Sequence, residues 1–196
     1  MPSIYGLKPR FQALLRPIAD RLAAIGVTAN QVTVGTCLVS VALGFDLAYG
    51  SRHWLLLPVW LFVRMALNAI DGLMAREHGQ ASRLGALLNE LTDVIADAAL
   101  LLPFAYLPGW NGVWVGAVVW LAGLSEMTSV CGQVLTGERR NDGPMGKSDR
   151  AFVLGALAGW IGLGGQANEM IAPLMALLLV VTVYNRARKI LAKEAA

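Results

Sequence analysis

The sequence predicts an all-α, polytopic membrane protein: six transmembrane helices preceded by an amphipathic helix lying in the membrane interface. Three observations predict it. Of the 196 residues, 56% are hydrophobic and only 15% charged, and the mean hydropathy of +0.56 lies outside the usual range of a water-soluble domain. The apolar residues fall in long runs; a hydrocarbon core about 30 Å thick takes about 20 such residues per helix, so the length accommodates about six spans with short connections. Lys and Arg collect at alternate ends of those runs. No length is left for a soluble domain, so residues 1–196 are expected to form one membrane domain, with the interfacial helix over 7–25 and the transmembrane bundle over 30–190.

The first residues are basic and amphipathic rather than a charged tip followed by an apolar run, so no cleaved signal peptide is expected. Phe11, Leu14, Leu15, Ile18, Leu22 and Ile25 recur at helical spacing, with Lys8, Arg10, Gln12, Arg16, Asp20 and Arg21 in the remaining positions. Such a helix can lay its apolar face among acyl chains and its cations against anionic headgroups; a helix packed on the bundle is the other reading. Pro17 either kinks it or marks its start. Gly26 ends it, and Thr28 with Gln31 reads as a capping box opening the first span, Val32 to Tyr49. Gly50, Ser51 and Arg52 form a turn. The later spans run from Trp54 to about Ala75, Leu84 to Tyr106, Trp110 to about Leu135, Ala151 to Leu163 with its flanks (the Gly-rich fifth) and Met170 to Tyr184.

With the N-terminus in the cytoplasm, Lys8, Arg10, Arg16 and Arg21 lie inside, followed by Arg76 and Arg83. Arg139, Arg140, Lys147 and Arg150 come next, and then Arg186, Arg188, Lys189 and Lys193. Arg52 alone falls outside and Arg64 lies within a span, an asymmetry of fourteen against one. The positive-inside rule therefore places both termini in the cytoplasm of an inner-membrane protein. The basic residues sit where lipid headgroups lie, so membrane lipids are the expected partners and nucleic acid is not. Cys37 and Cys131 lie far apart in apolar stretches and read as small core hydrophobes. His53 and His78 are isolated, which gives no histidine metal site.

Charges inside spans are costly and point to a bundle interior or a wet cavity. Here they cluster. Arg64, Asn68, Asp71 and Ala75 step by four, three and four along one face of the second span, and Gly85, Asn89, Asp93 and Asp97 step by four along the third. Gly72, Ala75 and Gly85 remove side-chain bulk, letting helices or a ligand approach closely. The two stripes adjoin one short cytoplasmic connection, so they can face each other near the inner interface. Paired acids there suit a divalent cation with oxygen ligands, and Mg²⁺ in turn suits a phosphate-bearing substrate.

Asn68-Ala-Ile-Asp71-Gly72-Leu-Met-Ala75-Arg76, eight further residues, then Gly85-Ala-Leu-Leu-Asn89-Glu-Leu-Thr-Asp93 resembles the signature of the CDP-alcohol phosphotransferases, D-x-x-D-G-x-x-A-R-x8-G-x3-D-x3-D. The spacing matches throughout, with Asn68 and Asn89 standing where the signature has its first and third acids. Including Ile4 to Pro17, Asn30-Gln31-Val32-Thr33 and Gly146-Lys147-Ser148-Asp149-Arg150, the chain is similar to a bacterial branch of that family with the same asparagines.

The resemblance implies attack by an acceptor hydroxyl on the β-phosphorus of a CDP-linked alcohol, typically CDP-diacylglycerol, with release of CMP. It implies Mg²⁺ (or Mn²⁺) held by Asp71 and Asp93 with Asn68 and Asn89, and Asp93 as general base. Gly72, Ala75, Arg76 and Gly85 would then adjoin the nucleotide. Two amides in place of acids mean a site that holds its metal differently or holds fewer ions. Arg139, Lys147 and Arg150 form either a pocket for a small alcohol or a phosphorylated acceptor such as glycerol 3-phosphate, or charges that set topology. Arg64, Asp97 and Glu126 are possible supports: Glu126 and Arg64 lie at similar depth and are expected to pair, and Asp97 or Glu126 can compensate the missing acids. A homodimer is implied by the family alone. A catalytically silent relative binding a lipid nucleotide is an alternative, and a small transporter another, although inverted repeats are not visible.

Overall fold

The computed structural model describes residues 7–50 and 53–192, with the backbone alone for 7–10. The side chains of Lys8 and Arg10, together with Arg52, Lys193 and the Ile4 end of the resemblance, lie outside the described residues. Among the described residues seven α-helices run in order: α1 Leu7–Ala24, α2 Ala29–Ala48, α3 Leu56–Glu77, α4 Arg83–Leu101, α5 Gly112–Thr136, α6 Lys147–Gly162 and α7 Ile171–Ala192. Short 3₁₀ turns occupy His53–Leu55 and Leu102–Tyr106. The described residues contain no strand. Four stretches, Ala29–Ala48, His53–Glu77, Gly112–Thr136 and Ile171–Ala192, are long and apolar enough to cross a membrane. The α4 helix carries Arg83, Glu90, Asp93 and Asp97, and α6 has only 16 residues.

Local chemistry sets the helix ends. The capping box is reciprocal: Thr28 N–H donates to Gln31 Oε1 at 2.9 Å, and Gln31 N–H donates to Thr28 Oγ1 at 3.2 Å. The first helix runs through Pro17, which therefore does not mark its start. The third apolar run leaves α geometry at Leu101, because Pro103 has no N–H to continue the ladder and the chain tightens to 3₁₀ up to Tyr106. The α6 helix takes in the N-terminal flank of the fifth apolar run and begins at Lys147, where the Asp149 carboxylate accepts from Gly146 N–H at 2.9 Å across its first turn. The last helix continues beyond Tyr184 to Ala192, its buried face extending through Leu179, Thr182, Arg186 and Ile190.

The chain divides into two compact units, Met1–Val41 with Trp60–Ala96, and Ala42–Val59 with Asp97–Ala196. In the first, Leu15 and Ala19 of α1 are buried with Ala29, Ile70, Leu73 and Met74, flanked by Phe11 and Leu22. Arg16 holds both oxygens of Glu77, at 2.7 and 2.9 Å, and His78 Nε2 lies 2.9 Å from Asp20 Oδ1. An ion pair and a histidine–aspartate contact one turn apart on α1 thus clamp it to the end of α3. The other apolar side chains of α1, Leu14, Ile18 and Ile25, stay exposed.

In the second unit Phe104 meets Trp54 edge to face and Trp110 at a tilt, with centroids at 5.0 and 5.7 Å. A Cβ on Gly44 would fall on the Ala99 carbonyl, so glycine is what lets these helices touch. Large apolar side chains also cover the outward faces, among them Val59 and Phe62 on α3, Leu87 and Leu91 on α4, and Leu174 and Leu177 on α7. Exposed apolar surface on this scale fits a lipid-facing protein. Cys37 is buried as expected, whereas Cys131 belongs to this outward surface.

Candidate active site

In the first unit the stripes of α3 and α4 meet. Arg64, 5% exposed, extends Nη2 to Oδ1 and the carbonyl O of Asp93, at 3.3 and 3.2 Å. Asn68 Nδ2 lies 3.3 Å from the same Oδ1. Residues 64 and 68 are one helical turn apart, so both reach one carboxylate. Asp71, also buried, takes its contact from a different helix: Thr33 Oγ1 stands 2.8 Å from Asp71 Oδ2 and 3.0 Å from the Ala29 carbonyl. A hydroxyl has one proton to donate, so Thr33 serves one of these acceptors at a time.

Gly72 lies under the Arg76 guanidinium, 3.1 Å from where a Cβ would stand, and Ala75 is half-buried beside the α1 core. Gly85 sits where a Cβ would come within 2.8 Å of Asn30 Oδ1 and 3.1 Å of Ser82 Oγ. Ser82 caps α4 by accepting from Gly85 N–H at 3.0 Å. The small residue at position 85 therefore admits a polar side chain from the start of α2. Asn89 is half-buried on α4, one turn before Asp93.

The oxygen chemistry of Asp71, Asp93, Asn68 and Asn89 suits a hard divalent cation. Among the described residues no three of His, Cys, Asp and Glu gather as a metal group. Amides at 68 and 89 are the physical reason, since they supply oxygen without charge.

The second unit buries a separate polar cluster. Arg150, 2% exposed, donates from Nη2 to Asp97 Oδ2 at 2.8 Å and to Glu126 Oε1 at 3.1 Å. Its Nη1 reaches Ser125 Oγ at 3.3 Å and the Met145 carbonyl at 3.4 Å. Glu126 also lies 3.7 Å from Arg139 and 3.8 Å from Arg186. Glu126, expected to pair with Arg64 directly or through water, takes these arginines within the second unit, and Arg64 takes Asp93 within the first. Lys147 is half-buried at the start of α6.

Two contributors were missed in the sequence. Arg186, 1% exposed, donates to the Asp142 carbonyl at 3.1 Å and to the Ser125 carbonyl. Its signal was the period continuing from Leu179 and Thr182. Thr33 was quoted within the resemblance but given no role, since its partner lies 38 residues away.

A family model described as CDP-alcohol phosphatidyltransferase matches residues 26–184. The chain belongs to the CDP-alcohol phosphatidyltransferase family. It is accordingly a transferase of substituted phosphate groups. Among its relatives, Inner membrane protein YnbA of Escherichia coli is 40% identical over 98% of both chains. The phosphatidylinositol phosphate synthase of Mycobacteroides abscessus is 31% identical over 79% of this chain and 71% of that one. Mycobacterium tuberculosis phosphatidylinositol phosphate synthase with CDP-DAG bound shares the fold, with a TM-score of 0.76, 20% identity and coverage of 91% and 94%. The same enzyme in complex with manganese and citrate gives 0.72, at 21% identity over 90% and 88%. In this CDP-alcohol phosphatidyltransferase the signature thus falls on α3 and α4 of the first unit.

Proposed function

We propose that this transferase moves the phosphatidyl group of CDP-diacylglycerol to an acceptor hydroxyl and releases CMP. The observation that carries the reading is the convergence of Arg64 and Asn68 from α3 on Asp93 of α4, with Asp71 buried on the same unit. Asp71, Asp93, Asn68 and Asn89 would hold a divalent cation, Mg²⁺ or Mn²⁺, which when bound neutralises charge on the diphosphate. Support comes from the oxygen donor set and from the relative solved with manganese. Asp93 takes the proton of the acceptor hydroxyl as its oxygen attacks the β-phosphorus, and the bond from phosphorus to the CMP oxygen breaks. Gly72, Ala75 and Gly85 leave room for the nucleotide, and Arg76 pairs with phosphate.

A phosphorylated acceptor such as glycerol 3-phosphate would meet Arg139 and Lys147. Arg150, gripped by Asp97 and Glu126, fixes the start of the helix that carries Lys147. The whole chain would form one inner-membrane domain, dimeric as the family implies. Helices α2 to α7 would be six spans, and α1 would rest its exposed Leu14, Ile18 and Ile25 in the interface. The count of fourteen cations against one puts both termini and the active site in the cytoplasm. Cysteine labelling in intact cells tests that orientation, and labelling of the C-terminus from outside would reverse it.

CMP release from CDP-diacylglycerol, measured with glycerol 3-phosphate, inositol phosphate and the matching free alcohols, tests the reaction. Asp71→Asn, Asp93→Asn and EDTA should each lower turnover by orders of magnitude. An Asp93→Asn enzyme of normal rate would remove it as the base.

A further inference from the structure

We propose that Gln80 is a positioning residue for the donor nucleotide: it caps α2 from the connection between α3 and α4, and so fixes the backbone between Arg76 and Gly85. This role presupposes the transfer reading above, in which Arg76 and Gly85 adjoin the nucleotide.

The first N–H groups of a helix have no partner within it. At the start of α2 the reciprocal box serves the N–H groups of Thr28 and Gln31. It leaves that of Ala29, a residue 5% exposed and packed in the core of the first unit. Gln80 Oε1 accepts from this N–H at 2.7 Å. A buried amide has to be paired, so the acceptor is a requirement of the fold at this point. Here it comes from a side chain 51 positions along the chain, inside the segment that joins the two halves of the signature.

The same segment is gripped on either side of Gln80. Arg16 holds both carboxylate oxygens of Glu77, and His78 Nε2 lies 2.9 Å from Asp20 Oδ1, so its beginning is tied to α1. Gly79, at φ +64°, supplies the left-handed turn between His78 and Gln80. At its end the missing Cβ of Gly85 makes room for Asn30 Oδ1, which would stand 2.8 Å from it. Ala29 and Asn30 are neighbours, so Gln80 and Gly85 are seated on one turn of α2. Arg76 directly precedes Glu77, and Gly85 closes the segment; a shift of the connection therefore moves both. Asp71 and Asp93 lie a turn or more inside α3 and α4 and stay with their helices. Loosening the cap should accordingly weaken nucleotide binding more than it slows the chemical step.

The test is a calorimetric titration of the full chain in detergent with CDP, in the presence of Mg²⁺. Gln80→Leu removes the acceptor and should weaken CDP binding by about tenfold, the scale of one hydrogen bond lost from a buried donor. In CMP release with glycerol 3-phosphate or inositol phosphate, the KM for CDP-diacylglycerol should rise by more than kcat falls. Gln80→Glu keeps an acceptor oxygen and adds a charge that a helix N-terminus favours, so it should bind CDP as the parent does. Parental affinity in Gln80→Leu, or an equal loss in Gln80→Glu, would overturn the role. Should Gln80→Leu fail to fold, Gln80→Asn, whose oxygen falls one methylene short, takes its place and has to bind CDP more weakly than the parent. Amide exchange at Ala29 reads the cap directly, and fast exchange in a variant with parental CDP affinity also overturns the role. A parent that binds CDP but releases no CMP from CDP-diacylglycerol overturns the transfer reading, and the role of Gln80 is then decided by CDP affinity alone. A parent that binds no CDP overturns the role itself.

Discussion

Arg150 Nη2 lies 2.8 Å from Asp97 Oδ2, and the arginine side chain is 2% exposed. Glu126 approaches the same nitrogen at 3.1 Å, so one guanidinium separates two carboxylates. Removing it would leave both acids without their nearest cation in a dry place, and breaking a buried pair this way costs about 3–5 kcal/mol. Arg150→Met should therefore lower thermal stability in detergent by about that amount. Adding Asp97→Asn and Glu126→Gln should recover part of the loss, because the repulsion goes with the charges. A triple variant less stable than Arg150→Met would show that the carboxylates serve something else.

Thr33 and Asp71 form the second testable pair, 2.8 Å apart and both buried. A hydrogen bond to a charged group contributes about 1.5–3 kcal/mol, equivalent to roughly tenfold or more in a rate that depends on it. Thr33→Val keeps the shape and deletes the hydroxyl. Turnover should fall by about tenfold or more, with Thr33→Ser near the parent rate. Serine restores the hydroxyl but not the methyl, so recovery by serine separates orientation of Asp71 from packing.

What the sequence disclosed and what it did not divide along one physical line. The Thr28 and Gln31 cap and the Arg64, Asn68, Asp71 stripe were legible because their spacing is fixed by helix geometry within a few residues. The choice of partner across helices was not. Depth along the membrane is shared by every helix at that level, so it did not point to Arg150 as the cation 3.1 Å from Glu126. Arg150 itself read as a cation of an acceptor pocket or a topology-setting charge, because it stands in the flank of the fifth apolar run; the Asp149 contact to Gly146 N–H draws it into the first turn of α6. Arg186 was likewise read as a flanking charge, although the core face of α7 continues through it.

Asp142, in the connection between α5 and α6, gives a pH dependence. The hydrogen bond from Lys189 holds its carboxyl below the usual carboxylate range; burial opposes this, and the charges of Lys189 and Arg140 add to it. A depressed folded-state value means the contribution is complete above the unfolded value, near 3.9 for Asp. It is lost as pH falls through the folded value. Asp142→Asn should be less stable than the parent at pH 7, and the gap should narrow below about pH 4 as the parent carboxylate protonates. Thermal unfolding of both proteins from pH 7 to about pH 3 checks this. A gap independent of pH would mean that Lys189 is not held by the ionised acid.

In the proposed site, the two asparagines should make metal binding depend on the substrate. With Asp71 and Asp93 as its acids, and Arg64 already on Asp93, the apo site offers a divalent ion little net negative charge. A diphosphate brings negative charge and oxygen ligands of its own, so the ion and the nucleotide should each bind better in the presence of the other; linkage makes the two effects equal. Recruiting Asp97 or Glu126 instead would mean taking a carboxylate from Arg150, which is buried and would lose compensating charge. Substrate-assisted binding is therefore the cheaper arrangement. Calorimetric titration of Mg²⁺ should give weak binding to the apo protein and at least about tenfold tighter binding with CDP-diacylglycerol, since couplings of this kind are about 1–3 kcal/mol. In Asn68→Asp with Asn89→Asp, the two missing charges return and apo binding should tighten while the coupling shrinks. Tight binding by the unmodified apo protein would instead assign the charge to residues outside the signature, Asp97 and Glu126 first among them.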